Sequence, residues 1–330
     1  MNRPNPFQSP LAAHIERFLS HHRALGKRFD TEESALRLLD RFVHECDVNT
    51  IAQITPRLLE AFLQSRPRSR ARSHNHLLNT VQRLFRWLVA QGVMASSPAH
   101  TLAPRRTAQH TAPFLFEPAQ VERLLVRAAS LRDGPFATHR GRTYRMIFAL
   151  MYGLGLRVGE VSRLRRRDLD LERQYLHISQ TKFGKSRLTP FGPRMACALR
   201  SYLQQHQRHR RLSADDPLFS LAEDGRRPLG SKSISRTFRN LLPELGLRVP
   251  AGVAPPRLHC LRHSFAVSTL LRWYRAGVDP GGHLLYLSVF LGHVNPASTA
   301  VYLTITAELL KQANQRFERF AAPVLEETRP

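Results

Sequence analysis

The chain has 330 residues, with 50 Lys and Arg against 25 Asp and Glu and a formal charge of +25. A hydrophobic share of 42% belongs to a folded protein, which excludes a disordered basic tail. Three scattered Cys exclude a disulfide-stapled scaffold, and no apolar run reaches membrane-spanning length.

The length suffices for two domains with sizeable cores. A folded protein this basic calls for a polyanionic partner, nucleic acid first. Five of the basic residues are Lys (27, 182, 185, 232 and 311) and the other 45 are Arg. A Lys in such a chain marks a place where a group able to give up a proton is useful. Residues 1–10 (MNRPNPFQSP) hold no apolar signal region, so a cytoplasmic location is expected.

Residues 10 to about 100 read as helical. Leu11, Ile15, Phe18 and Leu19 form one apolar stripe, and Leu36, Leu39, Phe42 and Val43 form a second. Asp30 with Glu33 three residues on reads as a capping-box start for that second helix. TPRLLEAFLQS (55–65) gives a third. A fourth carries Leu77, Val81, Leu84, Phe85, Leu88 and Val89 and stops at Gly92 and Pro98. Such stripes bury one another as a small bundle. SRPRSRARSHNH (65–76) carries Arg66, Arg68, Arg70 and Arg72, either a solvated loop or a strip that meets DNA phosphates; the net charge favours the second.

AHTLAPRRTAQHTAPF (99–114) has no apolar period. The expected division is therefore a helical domain at 1–104, a linker at 105–113 and a second domain at 114–330. The second domain opens with helices at EPAQVERLLVRAA and 140–152. QYLHIS and SRLTPF then read as strands flanking TKFGK, a hairpin with Gly184 at its tip. Helices are expected at about 193–207, 231–244, 260–275, 283–291, 296–303 and 305–320. The fold class is mainly α with a small β-sheet.

Six residues in this half carry chemistry: Arg157, Lys182, His259, Arg262, His293 and Tyr302. Together they can grip a phosphodiester, attack it and protonate the leaving oxygen. Arg157 sits in GLGLRVGE, where Glu160 could pair with it in a plain ion pair or a phosphate clamp could use it. His259 and Arg262 share a helix face. A metal at His259 and His263 lacks a third ligand and an intervening Glu. Gly292 reads as a helix C-cap, with His293 free to face the same phosphate. Tyr302, flanked by Val301 and Leu303, reads as core when taken alone.

Taken together, the motifs resemble the tyrosine recombinase, or phage integrase, family over most of the chain. They are G-L-R-x-x-E at 155–160, Lys182 with Gly184 and Arg187-Leu188-x-Pro190, H-x-L-R-H-x-F-A at 259–266, L-G-H at 291–293 and T-x-x-Y ending at Tyr302. The resemblance implies a core-binding bundle and a catalytic domain, and a site-specific recombinase serving integration or transposition. Tyr302 would attack the scissile phosphate and form a 3′-phosphotyrosyl link. Arg157 and Arg262 would hold the non-bridging oxygens. Lys182 would protonate the leaving 5′-oxygen, although Lys185 lies on the same turn. His259 would act as base or relay near the phenol, His293 would bond the phosphate and Glu160 would support the cluster. No cofactor, metal or ATP is implied. The partners implied are double-stranded DNA sites, further protomers in a tetramer joined by the tail beyond Tyr302, and accessory recombinases. GVDPGGH (277–283) looks longer than in simple family members. A monomeric type IB topoisomerase-like enzyme, a DNA-binding protein with a dead site and an RNA-binding protein are weaker readings. The separate bundle, the complete residue set and the lack of an aromatic strand motif argue against them in turn.

Overall fold

The computed structural model describes residues 7–107, 111–135, 137–179, 186–207, 212–304 and 309–315. The chain divides into two compact units, Met1–His110 and Thr111–Pro330.

Among the described residues the first unit holds four α-helices: α1 (Ala12–Ala24), α2 (Asp30–Glu45), α3 (Pro56–Ser65) and α4 (Ala71–Ala90). The apolar stripes meet as expected. Phe18, Leu36, Leu39, Phe62, Leu84 and Phe85 are buried in one cluster. Each such side chain contributes about 1.5–3 kcal/mol by leaving water. Thr55 caps α3, its hydroxyl accepting from Leu58 N at 3.3 Å, with Pro56 in the first turn. The expected capping box at Asp30 does not form. Asp30 is the first helical residue, entered from Phe29 at φ 57° with no side-chain cap. Glu33 instead bonds Arg37 at 2.6 Å and pairs with Arg23, so two guanidiniums draw the carboxylate away from the backbone. The start of the inter-domain stretch is tied to this unit. Ala99 and Leu102 are buried in its core, and the Arg105 backbone exchanges two 2.8 Å bonds with the Asn75 amide.

The second unit opens with α5 (Pro118–Ala129), α6 (Arg140–Gly153) and the one-turn α7 (Val158–Val161). A three-stranded antiparallel meander follows: β1 (Leu169–Asp170), β2 (Tyr175–Ile178) and β3 (Arg187–Pro190). Leu169 faces Leu176, and Ile178 faces Arg187. The hairpin read from sequence is β2–β3; its tip, with Lys182, Gly184 and Lys185, lies outside the described residues. The two-residue β1 was too short to leave a periodic signal. The remaining helices are α8 (Pro193–Gln207), α9 (Ser231–Leu241), α10 (Cys260–Arg275), α11 (Pro280–Leu291) and α12 (Ala297–Ala300). Tyr302 lies in a 3-10 turn, Val301–Thr304, rather than in a continuous helix.

The main core gathers Ile147, Phe148, Phe238 and Leu261. A second cluster, beneath the site, joins Leu270 of α10, Leu287 and Leu291 of α11, Tyr302 and Leu309. In the tail beyond Tyr302, Leu309 is buried in this cluster, while Leu310 beside it is exposed. Among the described residues no helix is long and apolar enough to cross a membrane.

Candidate active site

The site is built around the C-terminal end of α11. A helix leaves its last carbonyls without intrahelical donors and carries partial negative charge there. Gly292 closes α11 at φ 66°, which leaves those carbonyls open to side chains. Three guanidiniums from three other elements take them. Arg187 of β3 donates through Nε to Phe290 O at 2.8 Å. Arg262 of α10 donates to Leu291 O at 2.6 Å, and Arg157, at the N-cap of α7, to Gly292 O at 3.1 Å.

Arg262 is fully buried. Its other terminal nitrogen donates to Gly155 O at 2.6 Å, and its Nε has no hydrogen-bond partner. Gly155 presents that carbonyl from a φ of 60°; a Cβ there would stand 2.7 Å from Phe265 and 2.8 Å from Leu291. Burial lowers the Arg262 pKa to about 9, the Arg157 charge adds to this, and Glu160 opposes it.

Glu160 is the buried carboxylate of this cluster. It accepts from Arg157 N at 2.9 Å, from the Arg157 guanidinium at 2.8 Å and from both terminal nitrogens of Arg187 at 3.0 Å. Burial pushes its pKa up, but the bonds and charge of Arg187, with help from Arg157, hold it at about 2. The Arg157–Glu160 ion pair read from sequence is real, and it leaves Arg157 partly exposed at 32%. One edge of Arg157 is anchored by Glu160 and the rest of the guanidinium is partly exposed.

The imidazoles and the phenol lie beside these cations. Tyr302 is 4% exposed, and its hydroxyl is 2.9 Å from His263 Nδ1. Burial raises the Tyr302 pKa, while the Arg262 and Arg157 charges pull it back. His293 stacks over the Tyr302 ring at 6.4 Å between centroids, with Nδ1 2.7 Å from Thr299 Oγ1. Burial and the arginine charges hold His293 at about 4. His263 is held at about 4 by burial and Arg262. His259 meets His263 edge-on at 4.7 Å. Dense surroundings and the neighbouring charges lower its pKa to about 3, yet its ring is open to solvent, so water screens part of that effect.

The structure thus brings Arg157, Glu160, His259, Arg262, His293 and Tyr302 together from four separate stretches of chain. Lys182 lies outside the described residues. In the first turn of α10, His263 faces the 3-10 turn and lies against the Tyr302 hydroxyl, with His259 against the His263 ring. Two members of the cluster had no role in the sequence reading: Arg187 and His263. In the first unit, Arg70 and Arg72 are exposed, whereas Arg66 and Arg68 are partly buried. Among the described residues no group of three His, Cys, Asp or Glu side chains could hold a metal ion.

Residues 115–308 match the model of the phage integrase family. The chain belongs to that family. Relatives include the integrase/recombinase y4rB of Sinorhizobium fredii, 35% identical over 92% of this chain and 96% of that protein. The tyrosine recombinase XerA of Thermococcus onnurineus is 33% identical over 52% of this chain and 54% of its own length. Among solved structures, the Tn1549 transposon integrase in complex with circular intermediate DNA matches with a TM-score of 0.65 and 16% identity, covering 94% of this chain and 100% of that one. A lambda integrase dimer bound to a core site gives 0.62 and 19%, covering 88% and 76%. These two share the fold. The chain is a tyrosine recombinase, a site-specific DNA recombinase that cleaves and rejoins strands through a tyrosine.

Proposed function

We propose that this recombinase cuts DNA by attack of Tyr302 on a scissile phosphorus, forming a 3′-phosphotyrosyl link and releasing a 5′-hydroxyl. The observation that carries the proposal is the buried Tyr302 hydroxyl lying within the fields of Arg262 and Arg157. A phenol with an ordinary pKa of about 10 is a weak nucleophile at neutral pH until cations or a base favour its phenolate. Arg157 and Arg262 hold the non-bridging oxygens and offset the charge that develops in the transition state. His293 bonds the same phosphate. His259, on the solvent-facing rim, relays protons. Lys182 protonates the leaving 5′-oxygen, and Glu160 fixes Arg157.

The ester keeps the energy of the broken bond, so the strand is rejoined without ATP. Residues 1–104 form a core-binding domain whose Arg66, Arg68, Arg70 and Arg72 meet backbone phosphates, residues 105–113 a linker, and 114–330 the catalytic domain. The partners are double-stranded DNA sites and other protomers in a DNA-bound tetramer joined through the tail, with accessory recombinases where the element supplies them. The reaction runs in the cytoplasm on nucleoid DNA and serves integration or transposition of a mobile element.

The test is a nicked half-site DNA suicide substrate. The wild type should give a covalent adduct and Tyr302→Phe none. An adduct from Tyr302→Phe removes Tyr302 as the nucleophile.

A further inference from the structure

We propose that His263 is a catalytic residue, the base that takes the phenolic proton of Tyr302 as its oxygen attacks DNA. This rests on the reading of Tyr302 as nucleophile. The geometry is direct: His263 Nδ1 stands 2.9 Å from the Tyr302 hydroxyl, within reach for proton transfer. Their rings lie 5.5 Å apart at 57°, so the imidazole approaches the hydroxyl end of the phenol rather than stacking on its face. The Tyr302 hydroxyl also has a side-chain hydrogen bond with Arg262, which can only donate, so His263 is the partner able to accept the phenolic proton.

For Nδ1 to accept, the ring must be neutral with its proton on Nε2. Burial first, and then the Arg262 charge, enforce neutrality. The other titratable groups facing it are His259 at the N-cap of α10, Tyr302 in its 3-10 turn and His293, which stacks on Tyr302. Burial and Arg262 keep the free imidazole unprotonated at neutral pH. A base so weakened cannot take a phenol's proton by itself. Its basicity rises when a phosphodiester lies on Arg262, since that anion offsets the charge that adds to burial in depressing His263. The base is thereby switched on by the substrate.

The step balances. The Tyr302 O–H bond breaks and its proton passes to His263 Nδ1, while the phenolic oxygen bonds phosphorus. The phosphorus–5′-oxygen bond breaks, and the leaving oxygen takes a proton from the general acid assigned to Lys182. In rejoining, the imidazolium returns its proton to the phenolic oxygen.

The test uses full-length protein and single-turnover adduct formation on two half-site suicide DNAs, one ordinary and one with a 5′-bridging phosphorothiolate, whose sulfur leaves without a proton. His263→Ala should slow adduct formation about 100-fold or more on both DNAs, because removing a base is not relieved by a better leaving group. Added imidazole should restore part of the rate. His263→Asn keeps a short polar side chain that cannot be protonated and should remain as slow, with half-site binding within a few-fold of wild type by gel shift; it decides the matter should the alanine variant not fold. A His263→Ala or His263→Asn protein that cleaves at the wild-type rate, or faster, overturns the proposal; faster cleavage would identify the contact as a latch on the resting tyrosine. Slow cleavage relieved by the phosphorothiolate also overturns it, since that marks a role in leaving-group protonation. Failure of the nucleophile reading is separate, because it appears as an adduct from Tyr302→Phe.

Discussion

Glu160→Gln is the sharpest perturbation of this site, because it removes one charge and almost no volume. The carboxylate side chain is 2% exposed and takes four donors, two of them from an Arg187 that is itself 8% exposed. The amide accepts with one oxygen and points two N–H groups at guanidiniums that need acceptors. Removing one partner of a buried ion pair costs about 3–5 kcal/mol. Proton linkage gives a similar figure by another route. A carboxyl held at about 2 against 4.5 in the unfolded chain contributes about 3 kcal/mol at neutral pH, at roughly 1.4 kcal/mol per pH unit. Because the folded pKa lies below the unfolded one, this stability is complete above pH 4.5 and is lost as pH falls towards 2. The measurement is urea unfolding followed by Trp273 fluorescence in a Trp87→Phe background, so that the reporter sits in the second unit. At pH 7 the variant should be less stable by about 3 kcal/mol, narrowing to about 2 kcal/mol at pH 3.5, where Glu160 of the unfolded wild-type chain is already protonated while the folded one is still ionised. A gap under about 1 kcal/mol at pH 7, or one that does not narrow in acid, would refute the assignment of Glu160 as the anion holding these arginines.

Three further outcomes are expected. Gly292→Ala forces a side chain into a left-handed position, costing roughly 1–2 kcal/mol, and sets its Cβ 2.7 Å from the Arg187 guanidinium. Adduct formation should fall at least ~10-fold, a barrier change of about 1.4 kcal/mol. Gly26→Ala, at φ 76° with nothing within 4 Å, should carry the backbone cost alone and cleave normally. NMR titration of the free protein should place His263 and His293 well below the ordinary 6.5, near 4, with both moving up when half-site DNA binds. Groups depressed in this sense cost the free fold stability as pH falls from 6.5 towards 4, so thermal stability without DNA should decline across that window. Values near 6.5 in the free protein would contradict the charge environment described. Arg70→Ala with Arg72→Ala should lower the salt dependence of DNA affinity by about two in log–log slope if each meets one phosphate; an unchanged slope would place both side chains off the DNA.

Much of this was legible in the sequence because it is local. Stripes at i, i+3, i+4 gave the helices of both units, the Gly-flanked stretches gave Arg157 and His293, and the H-x-L-R-H box gave His259 and Arg262. The misreadings share a cause. Asp30 and Glu33 carry the local pattern of a capping box, but Arg23 and Arg37 compete for the carboxylate, and Arg23 lies ten residues from Glu33. Arg187 reaches Glu160 across 27 positions, and His263 reaches Tyr302 across 39. No window of periodicity spans such distances. His263 was visible as a histidine four residues after His259, but once a metal was set aside for want of a third ligand the spacing gave it no other partner. Tyr302 read alone as a core residue, and in packing terms it is one.

That last point bears on how the site stores its chemistry. Three guanidiniums and one carboxylate leave a local excess of two positive charges, with the imidazoles held neutral. The carbonyl dipoles at the end of α11 and at Gly155 satisfy the guanidinium hydrogens without cancelling that excess. Burying unneutralised charge is costly, and the fall in the Arg262 pKa records part of the cost. A bound phosphodiester carries one negative charge. The five-coordinate arrangement formed by phenolate attack carries about two until the leaving oxygen is protonated. The excess therefore matches the transition state better than the ground state, which is the condition for lowering a barrier rather than only tightening binding. It follows that a Lys at position 262, which keeps the charge but cannot span Gly155 O and Leu291 O together, should bind DNA within a few-fold of wild type. The same protein should lose adduct formation ~100-fold or more, as when a preorganised donor is removed. Equal losses in binding and cleavage would mean that the site recognises the phosphate as it stands and contributes nothing extra as the bond breaks.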